Sequence, residues 1–192
     1  MLQRFFCHYI CIMQHFLPNG QVLIIRPAEP EDASELLTYF RQVVRETDFL
    51  LITVPESEVL TIADEAAFIR SLANNTKHLH LLAIAGGKIV GAITVKQPDM
   101  RKEAHLGQLG IAILHEYWNM GIGRRLLTAA LRWAEQHKEM EIIQLSVFAN
   151  NERAIQLYRN FGFMEYGRLL QGFRQPDGTY GDTILMSKRI KP

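Results

Sequence analysis

The spacing of apolar residues changes period from segment to segment along this chain, and each change marks an element. In "VLIIRPA" (Val22–Ala28) the apolar run is short and β-rich and stops at Pro27 and Pro30, which predicts a strand. From Glu29 to Thr47 the period lengthens. Leu36, Leu37, Phe40, Val43 and Val44 share one side and acidic residues fill the first turn, as in a helix. "TIADEAAFIRSLANN" repeats that pattern with Ile62, Ala66, Phe68, Ile69 and Leu72, and Asn74–Asn75 ends it. "HLHLLAIAGGKIVGAITVKQ" is two β runs about Gly86–Gly87, the spacing of a hairpin. Glu103–Leu114 reads as a further strand and Glu141–Phe148 as another. Between them "GRRLLTAALRWAEQHK" reads as a helix, with Leu126, Leu127, Ala130, Leu131 and Ala134 at helical spacing. "NNERAIQLYRNFGF" is a helix with an Asn cap that closes at Gly162. "EYGRLLQGF" and "YGDTILMSKRI" flank a Pro-Asp-Gly turn at Pro176–Gly178 and form a last hairpin.

The resulting order, β-α-α-β-β-β-α-β-α-β-β, predicts a mixed α/β domain with one sheet and helices on its faces. There is no internal repeat, low-complexity tract or Pro/Gly/Ser-rich linker. The length of 192 residues suits one domain, and 48% hydrophobic residues suffice for a substantial core. With 21 basic and 20 acidic residues the net charge is +1, which gives no electrostatic case for nucleic acid or an anionic membrane. The two cysteines, Cys7 and Cys11, are too few for a disulfide framework, so a cytoplasmic location is expected.

The stretch before Val22 stands apart. Residues 1–21 form an apolar, aromatic extension interrupted by Arg4, His8, Gln14 and His15, and residues 22–192 form the domain proper. The interruptions argue against a membrane span or a signal peptide. Cys7, Cys11 and His15 would share one helix face, but without a fourth ligand or a familiar spacing no metal is expected. Phe5, Phe6, Tyr9, Ile10, Ile12, Met13 and Phe16 are too apolar for a free tail. They are expected to pack on the body or on a second subunit, which makes a homodimer the expected assembly.

"YWNMGIGRRLL" (Tyr117–Leu127) carries the chemistry. Gly121 and Gly123 stand directly before a helix, where unpaired N–H groups and the helix dipole attract an anion and glycine lets it approach the backbone. Arg124 and Arg125 in the first turn make sense if a polyphosphate lies over them. A P-loop is excluded for want of Gly-Lys-Ser/Thr. A dinucleotide fingerprint is excluded because Leu126 stands where its third glycine belongs and Glu141 opens a strand instead of ending one.

"GIAILHEYWNMGIGRRLLTAALRWA", "LSVFANNERAIQLYRNFGF" and "YGDTILMSKRI", in that order, resemble the GCN5-related N-acetyltransferase (GNAT) superfamily over Val22 to Ile190. The resemblance implies a mixed, mostly antiparallel sheet flanked by helices, with splayed central strands. It implies an acetyl-CoA-dependent N-acyltransferase with no metal. The pantetheine arm would pair with backbone at Ile111, Ala112 and Ile113. The pyrophosphate would sit on the amides of Asn119, Met120, Gly121, Ile122, Gly123 and Arg124. Asn151 would contact the arm and Tyr158 would lie near the sulfur. The family loop begins with Gln or Arg where this chain has Trp118, which removes one polar contact.

Acyl transfer to an amine needs a neutral amine, donors for the oxyanion and a proton for the departing thiolate. A phenol, with an ordinary pKa of about 10 against about 8.5 for a thiol, stays protonated at pH 7, so Tyr158 fits the acid role. No covalent nucleophile is required. Ser146 stands where some family members carry a glutamate base, which leaves Glu103, His105 and Glu116 as candidates. The acceptor groove is expected between the first two helices and the last hairpin, with Glu46–Thr61 as its lid. The acidic Glu46, Asp48, Glu56 and Glu58 of that lid suit a cationic amine. A small-molecule amine or amino acid is the expected acceptor. The alternatives are a protein N-terminus or lysine, or a module that binds acyl-CoA without chemistry.

Overall fold

The computed structural model describes residues 12–73 and 76–191. Strands β1 (Met13–Phe16), β2 (Val22–Pro27), β3 (His78–Ala85), β4 (Lys88–Lys96), β5 (Leu106–Ile113), β6 (Ile142–Phe148), β7 (Met164–Arg174) and β8 (Tyr180–Arg189) form one sheet in the order β1-β2-β3-β4-β5-β6-β8-β7. The pairings are antiparallel except β5 with β6. The helices are α1 (Ala33–Glu46), α2 (Val54–Glu58), α3 (Ile62–Ala73), α4 (Ile122–Gln136) and α5 (Glu152–Asn160). The Asn74–Asn75 helix end lies outside the described residues.

Alternation and helical spacing build the core together. β3 and β4 are nearly continuous apolar runs because helices cover both of their faces: α1 and α3 against one, α4 against the other. Leu81, Leu82, Ile93, Leu126 and Leu127 are fully buried there. Gly86 and Gly87, at φ +57° and +76°, close the β3–β4 hairpin in a backbone that a two-residue turn needs and a side chain resists.

Three expectations are corrected. The segment before Val22 contributes a strand: β1 pairs with β2 from Met13↔Ile25 to Phe16↔Val22. His15 therefore lies on a strand and not on a helix face, and the Cys7 and Cys11 of the weighed metal site lie outside the described residues. The strand expected from Glu103 starts at Leu106, after a short 3₁₀ turn at Arg101–Glu103. The Glu46–Thr61 segment is not all loop. Thr53 and Glu56 cap α2 reciprocally, and Pro55 sits in its first turn where a missing N–H costs nothing.

α1 is docked by polar contacts as well as by its apolar face. Glu35 accepts from the Ile89 amide at 2.8 Å, the Tyr39 hydroxyl donates to the Ala112 carbonyl at 2.7 Å, and Glu46 accepts from the His115 amide at 2.8 Å. Burial raises the Tyr39 phenol pKa above its ordinary value, so this donor stays protonated.

Candidate active site

β5 and β6 pair only at Leu106↔Ile142, Gly107↔Ile143 and Gln108↔Gln144. Beyond that, β5 stays with β4 to Ile113 and β6 stays with β8 to Phe148, so the two strands part company and leave a wedge-shaped gap in the sheet. Gly107 sits at the closed end. A Cβ there would lie 2.6 Å from Met140 Sδ and 2.7 Å from Ile143 Cδ1, so the bare backbone is what lets the strands meet. In an antiparallel ladder successive residues turn their N–H and C=O to opposite sides. Leu114 N–H donates to the Val90 carbonyl, so Ala112 turns toward β4 and Ile111 and Ile113 turn into the gap. Two of these three positions are already engaged. Ala112 O accepts from Tyr39, and Ile113 O accepts from the Trp118 indole N–H at 2.8 Å. Trp118 thus folds back on the strand end, with Arg153 over its ring at 4.2 Å.

The loop at the open end carries two left-handed residues, Asn119 at φ +63° and Gly121 at φ +79°. Gly121 is the N-cap of α4 with no side-chain cap bond. The Arg125 amide reaches Gly121 O, which leaves the Ile122, Gly123 and Arg124 amides without an intrahelical acceptor at the positive end of the helix. Gly123 has a different role from Gly121. It is buried, and a Cβ would stand 3.1 Å from Ile113 Cδ1 and 3.2 Å from Leu157 Cδ2, so this glycine brings α4 close to β5 and α5. Arg124 is exposed, 6.0 Å from the Phe161 ring. Arg125, expected over the anion site, is engaged instead with backbone and donates to Met120 O and Phe16 O.

On the far wall of the gap, Asn151 caps α5 by accepting from Ala154 N–H at 3.2 Å, which leaves its side-chain NH₂ as the remaining donor. Tyr158, one helix face further on, is 6% exposed and packs against Phe163 at 5.8 Å between ring centroids. Burial raises its pKa above the ordinary phenol value. Among the described residues its hydroxyl makes no side-chain hydrogen bond.

A cavity of about 810 Å³ opens where the gap ends, between the loop after α1 (Arg45–Phe49), the residues after β5 (His115, Trp118) and β6 (Asn150), and the β7–β8 turn (Gln175–Thr179). Gln175 ties that turn to the α1 loop through the Asp48 carbonyl at 3.4 Å. The four acidic residues expected on the lid divide. Glu46 and Asp48 line the cavity, whereas Glu56 is held in the α2 cap and Glu58 pairs with Arg45 and Arg41. α3, the second expected helix, contributes no lining residue. Of the candidate bases, Glu103 and His105 lie at the closed end of the wedge, where the His105 carbonyl accepts from Glu141 and Ile142, and Glu116 does not line the cavity. His115 does, 4.4 Å from the Trp118 ring, and the sequence offered no signal for it beyond its place next to the strand end.

The model of the acetyltransferase (GNAT) family matches residues 40–163, from within α1 through the glycine loop to the end of α5. The chain belongs to the GNAT family. As a GNAT protein it is an acyl-CoA-dependent N-acyltransferase. A GNAT-family acetyltransferase from Streptococcus pneumoniae has the same fold at a TM-score of 0.83 and 34% identity, over 87% of this chain and 99% of that one. The L-amino acid N-acetyltransferase AaaT of Escherichia coli is 25% identical over 61% of this chain and 72% of its own length. The N-alpha-acetyltransferase RimI of Mycobacterium tuberculosis is 34% identical over 53% of this chain and 61% of its own length, less than two thirds of that relative. The structure of yncA from Salmonella typhimurium, determined with its cofactor acetyl-CoA, shares the fold at a TM-score of 0.78 and 15% identity. Among the described residues no helix is long and apolar enough to cross a membrane, and no group of three His, Cys, Asp or Glu is placed to hold a metal.

Proposed function

We propose that this GNAT protein moves the acetyl group of acetyl-CoA directly to a primary amine of a small molecule or amino acid. The observation that carries this reading is the wedge between β5 and β6, with an anion-binding loop at one side of its mouth and a cavity at the other. The loop residues suit the co-substrate's pyrophosphate: bare amides from Ile122 to Arg124, a glycine N-cap and an exposed arginine converge on one anion position. Bound acetyl-CoA supplies an activated acetyl group as its thioester.

The chain's own groups complete the chemistry. Glu46 and Asp48 draw a cationic amine into the cavity, and His115 beside them is placed to take its proton, directly or through water. The Ile111 N–H, turned into the gap, is the backbone donor for the oxyanion. A C–N bond forms and the C–S bond breaks. Tyr158, at the dry wall, hands its proton to the departing thiolate and recovers it from solvent.

The cavity, about 810 Å³ and broadly open to solvent, admits a small amine and the end of a peptide alike. AaaT supports the amino-acid form of this reading, and RimI supports a second reading, in which the acceptor is a protein N-terminus. A thiol-release assay over amines, amino acids and short peptides decides between them. The expected result is turnover with a free amine or amino acid and none with peptides; turnover confined to peptides overturns the small-acceptor reading. The homodimer is part of the same proposal, supported by the exposed Phe16 on the sheet's edge strand and the exposed Ile12 just before it. Light scattering at micromolar concentration is expected to give twice the chain mass, and a monomer mass overturns it.

A further inference from the structure

Arg125 is the first-turn cation that is engaged with backbone. Its Nη1 donates to Met120 O at 3.4 Å and its Nη2 to Phe16 O at 3.2 Å. The guanidinium also lies against the bare α-carbon of Gly121, where a Cβ would come within 2.7 Å of Nη1. One side chain thus spans the glycine loop and the last residue of β1. The Phe16 carbonyl is itself well fixed. β1 is registered on β2 up to Phe16↔Val22, Leu17 beyond it is 3% exposed, and Leu17 N–H closes the following turn on Gln21 O at 2.8 Å.

The loop needs such a fixture. Asn119 and Gly121 both hold left-handed backbone conformations, which glycine enters and leaves as readily as the ordinary ones, so the loop has open alternatives to its anion-binding form. A loop free to leave that form holds it only if something outside opposes relaxation. Two carbonyls on separate segments call for a planar, forked donor, which arginine has and lysine lacks. We infer that Arg125 and β1 brace the glycine loop, so that the segment before the expected domain start is a working part of the acetyl-CoA site. This rests on the reading that the loop holds the pyrophosphate. Arg125 is a positioning residue: it acts through Met120 and Gly121 and makes no contact of its own with the ligand. His15, whose pKa is lowered by burial and then by Arg125, is the neighbouring titratable group on β1.

The test is calorimetry of coenzyme A binding together with acetyl-CoA kinetics. The chains compared are the full chain, R125A, R125K, the chain lacking residues 1–16, the chain lacking residues 1–11, and R125A combined with the longer deletion. If bracing keeps the loop in its competent form, its loss reduces that fraction, and the apparent affinity falls in proportion. R125A is expected to raise the coenzyme A Kd and the acetyl-CoA KM about tenfold while kcat at saturation holds, with R125K between it and the full chain. Removing residues 1–16 is expected to match R125A, and combining the two to add nothing further, because both remove one interaction. Removing residues 1–11, which spares β1, is expected to leave affinity unchanged. Wild-type affinity in R125A overturns the brace. Additive losses in the combined variant also overturn it, since they mean that Arg125 grips the ligand directly. Should the longer deletion fail to fold, as far-ultraviolet circular dichroism would show, R125A and R125K carry the test alone. If the full chain itself does not bind coenzyme A, the pyrophosphate reading fails first. If the full chain binds and R125A binds equally, only the brace fails.

Discussion

Replacing Tyr158 with Phe is expected to lower kcat by about 10²–10⁴-fold, the usual contribution of a general acid, while the acetyl-CoA KM stays near wild type. The substitution keeps the ring, and with it the packing on Phe163 and the burial of the α5 face. It removes only the hydroxyl, which has no side-chain partner among the described residues. Burial holds that phenol above its ordinary pKa, so it is uncharged across the working pH range. A thiolate formed against the same dry wall is raised by the same desolvation, so donor and acceptor stay matched. Single-turnover measurement with a good amine acceptor, beside a calorimetric coenzyme A titration, separates the two effects. A Tyr158→Phe variant with near wild-type turnover would show that the residue only packs.

The second large effect is expected at Gly121. Gly121→Asp adds a negative charge to the loop on which the pyrophosphate is proposed to lie, and like charges brought close together cost several kcal/mol. A loss of roughly 100-fold or more in coenzyme A affinity follows, about 3 kcal/mol. The fold should survive, because an acidic residue suits a helix N-terminus and the atom crowded belongs to a side chain, Arg125, which Asp and Asn displace alike, so the difference between the two variants reads the charge. Gly121→Asn is the control. It accepts the φ of +79° about as well and carries no charge, so it should lose far less. Equal affinities for Asp and Asn would refute the electrostatic assignment of the loop. Gly123 is the poorer probe, although it looks equivalent in the sequence. A side chain there drives into Ile113 and Leu157, and any loss of binding would report a displaced helix.

That contrast shows where sequence reading stops. Helical spacing located α1, α3, α4 and α5, the paired glycines located the β3–β4 hairpin, and the glycine turn located the start of α4. These signals are local, and the backbone obeys them. β1 was hidden because Met13–Phe16 runs apolar-polar-polar-apolar over only four residues, so neither face is consistently apolar and no period of two can be read. α2 has five residues, too short for periodicity, and its only trace was the Thr53/Glu56 capping pair. Which way Arg125 turns, that Trp118 folds onto Ile113, and that His115 and not His105 meets the cavity are settled by contacts between segments far apart in the chain. Residue type and spacing carry no information about them.

α1 has a consequence for how this protein can change. Glu35, Tyr39 and Glu46 fall on one side of the helix and fasten it to Ile89, Ala112 and His115, from its first turn to its last. The helix is therefore a fixed post, and the stretch from Thr47 to Thr61 leaves its end and returns to its side, where Arg41 donates to the Ser57, Glu58 and Leu60 carbonyls. Mutations at Thr47–Phe49 can reshape the wall of the cavity without loosening that post or β5. Acceptor preference can drift under selection while the reaction itself is inherited intact, and a designer wishing to redirect the enzyme has the same seam along which to cut.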